Sequence, residues 1–337
     1  QWSKIHVFIK FPVWIWPGNE NFDFTKVCSI RFTQNDETGT LNTSSPILIR
    51  NFEFLKNIET KTTDGLLYNV RSINKNGNMV IDGVPFFPIF IYTTIGVDKY
   101  SAVHITENNK IPFSEELMRS WFKEIKEAGF NMVQSYTIPL GYGGPGADFN
   151  KKIEGVKLFL DYANEYGLKV LDTVYGHISG PLVVDDSKEE EAIRNSKEQL
   201  QKRIEAIKTH PALGAYYITD EFFNSGIKKE DLEGFYYFIK KLDTVHPTLA
   251  VECTTAAFPL YREGTDIFAP DIYPCGEKYP ADITSVAKTL DIEKSVQRGE
   301  PPKPYLWAVL QIHKSSRFPT ESEMRAMTFL ALTRDVK

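Results

Sequence analysis

Two adjacent carboxylates, Asp220 and Glu221, close the apolar, aromatic-rich run LGAYYITDE. A short run of this kind reads as a strand buried on both faces, as in a parallel sheet. A carboxyl group at the C-terminal end of such a strand stands where parallel barrels gather their reacting groups. Two carboxyls in one cavity can divide the roles of proton donor and anion, because mutual repulsion raises the pKa of one of them. The competing reading is a helix N-cap, but the next helical pattern starts only near Lys228. Glu221 is therefore the leading candidate for a general acid. Neighbouring strand residues point to opposite faces, so a kink at the strand end is needed for both acids to reach one cavity.

If strands and helices alternate around a barrel, the other strand ends converge on the same mouth. They carry Tyr92 and Thr93, then Gln134 and Tyr136, then Thr173, Tyr175 and His177. After the acid pair come Glu252 and Thr254, then Asp271 and Tyr273, then Gln311 and His313. Carboxylates, amides, hydroxyls and rings without a lysine suit a neutral polyhydroxylated ligand. Asp271, in PDIYP, either caps a turn or supplies the second carboxyl of the site, and Glu252 is the other candidate for that role. His177 reads equally as a ligand for substrate hydroxyls and as an ordinary loop histidine. The glycine-rich loop LGYGGPGAD around Tyr142 lacks the GK[ST] ending of a phosphate loop. The six histidines are dispersed, and Cys28, Cys253 and Cys275 match no zinc spacing, so no metal and no cofactor is expected.

The elements that must hold these residues follow from periodicity. From Phe86 onward short apolar runs alternate with amphipathic stretches seven times: helices are expected near 114–128, 151–166, 187–208, 229–245, 283–298 and 321–334, with a short helical turn after TLAVECTT. This is the α/β pattern of a TIM (β/α)8-type barrel, and the expectation is a barrel lacking its eighth unit. A doubly wound dinucleotide sheet is unsupported, since the first strand-to-helix turn, IYTTIGV, has no GxGxxG. Residues 1–60 alternate in the β manner and read as a partial β-sandwich, 61–85 as a linker with a hairpin signal at NKNGN, and 86–337 as the barrel.

A net charge of −5 with scattered Lys and Arg argues against nucleic acid or an anionic membrane as partner, and no apolar run is long enough to span a bilayer. The chain starts at Gln1 without a methionine, which suggests a removed leader or a piece of something longer.

The segments DGVPFFPIFIY, WFKEIKEAGFNMVQSY, HPALGAYYITDE, FAPDIYP, PYLWAVLQ and RFPTESEMRAMTFLAL, in this order over about two thirds of the chain, resemble the barrel glycoside hydrolases of clan A. FDFTKVCSIRF followed by SPILIRNFEFL resembles the last strands of jelly-roll carbohydrate-binding modules, with Trp2, Trp14 and Trp16 as candidate sugar-stacking residues. The resemblance implies a secreted or cell-surface hydrolase of polysaccharides or oligosaccharides. In that family Glu221 matches the general acid/base, Asp220 stands in place of the usual Asn, and Gln311 stands where a nucleophilic Glu is expected. An amide cannot form a glycosyl ester, so the second carboxyl falls to Asp271, to Glu252, or to a residue of the eighth strand that the expected barrel lacks. The other reading is a catalytically silent barrel that binds glycans, which Gln311 favours and the acid pair disfavours.

Overall fold

Every second residue of seven short runs is apolar and faces one common interior, and the architecture follows from that alternation. The computed structural model describes residues 71–73, 77–93, 103–106, 109–111, 114–136, 149–174, 186–224, 226–276, 281–298 and 304–337, all within the unit Asp64–Lys337. The expected β-sandwich over 1–60, its tryptophans, the loop around Tyr142, and Tyr175 and His177 lie outside the described residues.

Strands β1 (Arg71–Ile73), β2 (Met79–Ile81) and β3 (Val84–Phe86) form an antiparallel sheet. Next come β4 (Phe90–Thr93), the hairpin β5 (Val103–Thr106) and β6 (Asn109–Ile111), α1 (Glu115–Glu127), β7 (Met132–Ser135), α2 (Phe149–Glu165), β8 (Lys169–Thr173) and α3 (Asp186–Ile207). The chain continues through β9 (Leu213–Asp220), α4 (Lys229–Leu242), β10 (Thr248–Glu252) and the short α5 (Phe258–Tyr261) to β11 (Ile267–Ile272). It ends with α6 (Thr284–Val296), β12 (Tyr305–Leu306), β13 (Val309–Leu310) and α7 (Glu321–Leu332). Helix starts follow local chemistry: the Ser114 side chain accepts the Leu117 N–H, and Thr320 with Glu323 forms a capping box.

Neighbouring strands of the main sheet are parallel, in the order β12-β11-β10-β9-β8-β7-β4, with β13 continuing β12 alongside β11. Sheet order is chain order, the winding of a (β/α) barrel. A flat sheet this wide would separate its edge strands by roughly 30 Å. Instead the ring of Phe90, on β4, lies 5.9 Å from that of Trp307, just past β12, so the sheet curls back on itself.

Inward residues of the strands, among them Met132, Leu171, Ala215, Tyr217, Leu249, Val251, Ile267 and Ala269, share one cluster with Met79 and Ile81 of the hairpin. Outward residues, including Val133, Val170, Tyr216, Ile218, Ala250 and Phe268, pack with the helices in a second cluster. Gly77, just before β2, lies against the start of β12. A Cβ on Gly77 would stand 2.7 Å from the Tyr305 ring, so only glycine fits there. The opposite end, where the strands finish, is left for the site. Among the described residues no helix is long and apolar enough to cross a membrane.

Candidate active site

The strand carrying the acid pair is irregular at two points. Gly214 sits where the β8–β9 register shifts, and a Cβ there would fall 2.7 Å from the Met132 side chain and 3.3 Å from the Val170 carbonyl. The second shift lies between Leu249 and Ala250 on β10, opposite Ile218. Tyr217 pairs with inward Leu249 but Thr219 pairs with outward Ala250, and Asp220 pairs with inward Val251. One extra residue in β9 therefore reverses its facing, and Asp220 turns into the barrel mouth. Glu221 then leaves the strand with a φ of 43°, left-handed backbone that a non-glycine residue seldom adopts, while its N–H still donates to the Val251 carbonyl at 3.0 Å. The kink required by sequence reasoning is thus a bulge followed by one strained residue.

On β11 the alternation is regular. Ile267 and Ala269 face inward, so Asp271 does too. An oxygen of Glu221, an oxygen of Asp271 and the Cys253 sulfur all lie within 4.8 Å of one another. Asp271 is 5% exposed, its Oδ1 has no hydrogen-bond partner among the described residues, and its side chain interacts with that of Glu221. Burial, then the neighbouring charges of Glu221 and Asp220, push its pKa up to about 7. The carboxyl of Asp220 is also held above its ordinary range, chiefly by burial, although Tyr217 and Tyr136 hydrogen-bond it. The Tyr136 hydroxyl donates to Asp220 Oδ2 at 3.2 Å, and that of Tyr92 donates to the Tyr217 hydroxyl at 3.3 Å. Tyr273 adds a half-exposed ring beside Asp271, packed edge-on to His313 with centroids 4.7 Å apart.

The same parity rule sends Glu252 the other way. Val251 faces the interior, so Glu252 faces outward, fully buried, with Oε2 accepting the Phe223 N–H at 2.9 Å and Oε1 the Thr254 N–H at 2.7 Å. Both oxygens tie together the loops after β9 and β10. Gln311 is likewise buried and occupied: its Oε1 accepts the Cys275 N–H at 2.8 Å, and its Nε2 donates to the Cys275 and His313 carbonyls. Gln134 faces inward, donating to Thr173 Oγ1 at 2.9 Å. Of the expected site residues, the structure gathers Tyr92, Tyr136, Asp220, Glu221, Asp271 and Tyr273 at the mouth and places Glu252 and Gln311 in structural brackets.

Sequence reasoning missed two residues. Tyr217 was legible only as an apolar strand position, although lying four residues before Glu221 on the same strand was a usable signal. Cys253 had no signal beyond its place next to Glu252. The Glu221, Asp271 and Cys253 donors are near enough to hold a metal ion. Burial and the surrounding carboxyls raise the pKa of the Cys253 thiol, so a cation would have to displace its proton.

No protein-family model and no curated protein sequence matches the chain. Among solved structures, similar folds include a β-D-glucuronidase of Dictyoglomus thermophilum (14% identity, TM-score 0.50, covering 78% of this chain and 44% of that one). An uncultured Clostridium sp. β-glucuronidase is similar at 15% identity and a TM-score of 0.51, covering 79% of this chain and 44% of that one. A family 5 mannosidase of Rhizomucor miehei is similar at 12% identity and a TM-score of 0.50, covering 68% of this chain and 70% of that one. The chain spans less than half the length of these two glucuronidases. At these identities the likeness shows the fold: consecutive β/α units wound as in these barrels.

Proposed function

We propose that the chain is a glycoside hydrolase whose catalytic carboxyls are Glu221 and Asp271, acting on a polysaccharide or oligosaccharide in a secreted or cell-surface setting. One observation carries the reading: two acids from different strands converge at the barrel mouth, one on strained backbone and the other buried with a bare oxygen. A glycosidase needs one carboxyl to carry a proton and a second to carry charge. A pair whose environments separate their proton affinities meets that need. The names of proteins with a similar fold agree with this reading but do not carry it.

Within the pair, Asp271 is the residue pushed up to about 7, so it holds the proton near neutrality. In the proposed reaction Asp271 protonates the glycosidic oxygen while Glu221 attacks the anomeric carbon. The bond to the leaving group breaks as the ester to Glu221 forms. Asp271, now anionic, takes a proton from water, whose oxygen displaces Glu221 and releases the sugar. The short approach between the carboxyls favours this double displacement, because single displacement needs roughly 6.5 to 9.5 Å of separation to seat a water. These roles reverse those implied by the clan A resemblance, in which Glu221 is the acid/base.

Azide distinguishes the two assignments. With E221A and an activated aryl glycoside, azide attacking the empty face yields a glycosyl azide of inverted configuration if Glu221 is the nucleophile. If Glu221 is the acid/base, the same variant yields an azide of retained configuration and D271A gives the inverted one. Absence of cleavage by the parent protein across a panel of aryl glycosides and polysaccharides, with retained glycan binding, would establish the silent barrel instead.

A further inference from the structure

The proposed reaction uses two carboxyls, and the described residues of the mouth include three. Asp220 is turned inward by the bulge in β9, is half-buried, and interacts electrostatically with both Glu221 and Asp271. Glu221 and Asp271 fill the two roles that the proposed reaction needs, and Asp220, turned to the same mouth, is one carboxyl in excess. Its described side-chain partners, Tyr136 and Tyr217, are neutral hydroxyls, and neither neutralises a charge. A concave, partly dry site lined with acids concentrates negative potential.

Resting on the hydrolase reading, we infer that Asp220 makes the mouth reject anionic sugars, so that the sugar bound next to Glu221 and Asp271 carries no carboxylate. A uronate would set its own carboxylate among these acids, and like-charge juxtaposition in a partly desolvated site costs enough to decide selectivity. An uncharged hexose offers Asp220 a hydroxyl donor instead. The bulge makes this residue a selectivity element: without it Asp220 would face the helices and the mouth would lose its third acid.

The experiment compares matched pairs of 4-nitrophenyl glycosides in both anomers: glucoside with glucuronide, galactoside with galacturonide, and mannoside with mannuronide. In whichever pair is cleaved, kcat/KM for the uncharged member is expected to exceed that for the uronide by about tenfold or more, with the difference mainly in KM. D220N is expected to shrink that ratio, whereas loss of a purely structural contact would lower both members alike. Equal or better cleavage of a uronide, or a ratio unchanged in D220N, overturns the inference and leaves the hydrolase reading standing. The parent protein's ratio is decisive even if D220N does not fold. If no pair is cleaved, the polysaccharide panel decides the hydrolase reading, while calorimetric titration with each free hexose and its uronic acid decides selectivity. Binding of the hexose alone supports it; binding of the uronic acid, or of neither, overturns it.

Discussion

Asp172 and Asp271 are both buried acids on parallel strands, but they face opposite sides of the sheet. Asp172 points outward into the layer between β8 and α3, where the buried Arg203 guanidinium grips both of its oxygens, Nε at 3.1 Å from Oδ2. Asp271 points inward, keeps a bare oxygen, and has another acid for a neighbour. Glu252 belongs with Asp172: it is outward, buried, and saturated by two backbone amides. Acids on the helix-facing side are stabilised by partners of opposite or complementary character. At the mouth the charges of Glu221 and Asp220 raise the proton affinity of Asp271. The first arrangement holds the fold together, while the second stores a proton at neutral pH, which is what an acid catalyst requires.

Removing one acid from each side separates the two behaviours. D271N and E221Q are each expected to lower kcat/KM by about 10²- to 10⁴-fold without lowering the denaturation midpoint. The parent's activity should fall as pH rises through about 7, where Asp271 loses its proton, and D271N should lack that limb. D172A has the opposite signature: it removes the carboxylate that the buried Arg203 guanidinium grips, and equilibrium denaturation should show a loss of about 3–5 kcal/mol. E252Q is expected to cost about 1–3 kcal/mol, since an amide can accept only one of the two backbone N–H groups now held. A large loss of activity in E252Q at unchanged stability would move Glu252 into the reacting pair and break the comparison.

Glu293 gives the smallest and sharpest test. It is fully buried on α6 with neither oxygen partnered, and burial alone pushes its pKa up to about 8. Between the ordinary glutamate range and pH 8 the folded chain keeps a proton that the unfolded chain releases, so stability falls as pH rises. The slope from this residue is at most about 1.4 kcal/mol per pH unit and vanishes above pH 8. Denaturation at several pH values should show E293Q with a shallower slope than the parent, while D271N removes a similar contribution that ends near pH 7.

Much of this was legible in the chain itself. The period-two and helical patterns after Phe86 located seven strands and their helices because both periods are local properties of the backbone. The abrupt end of LGAYYITDE located Glu221, and PDIYP made Asp271 a candidate. The sequence also established that the acid pair could share a cavity only through a kink. What it left open was which acids face one another, because facing depends on register between strands far apart in the chain. A single bulge opposite Leu249 and Ala250 turns Asp220 inward, the left-handed backbone at Glu221 aims that residue, and ordinary alternation sends Glu252 outward and Asp271 inward. Asp271 and Glu252 lie at equivalent places near the ends of adjacent strands, and nothing in either segment alone distinguishes them. Only the packed sheet does, because it fixes which face of each strand meets the helices and which meets the mouth.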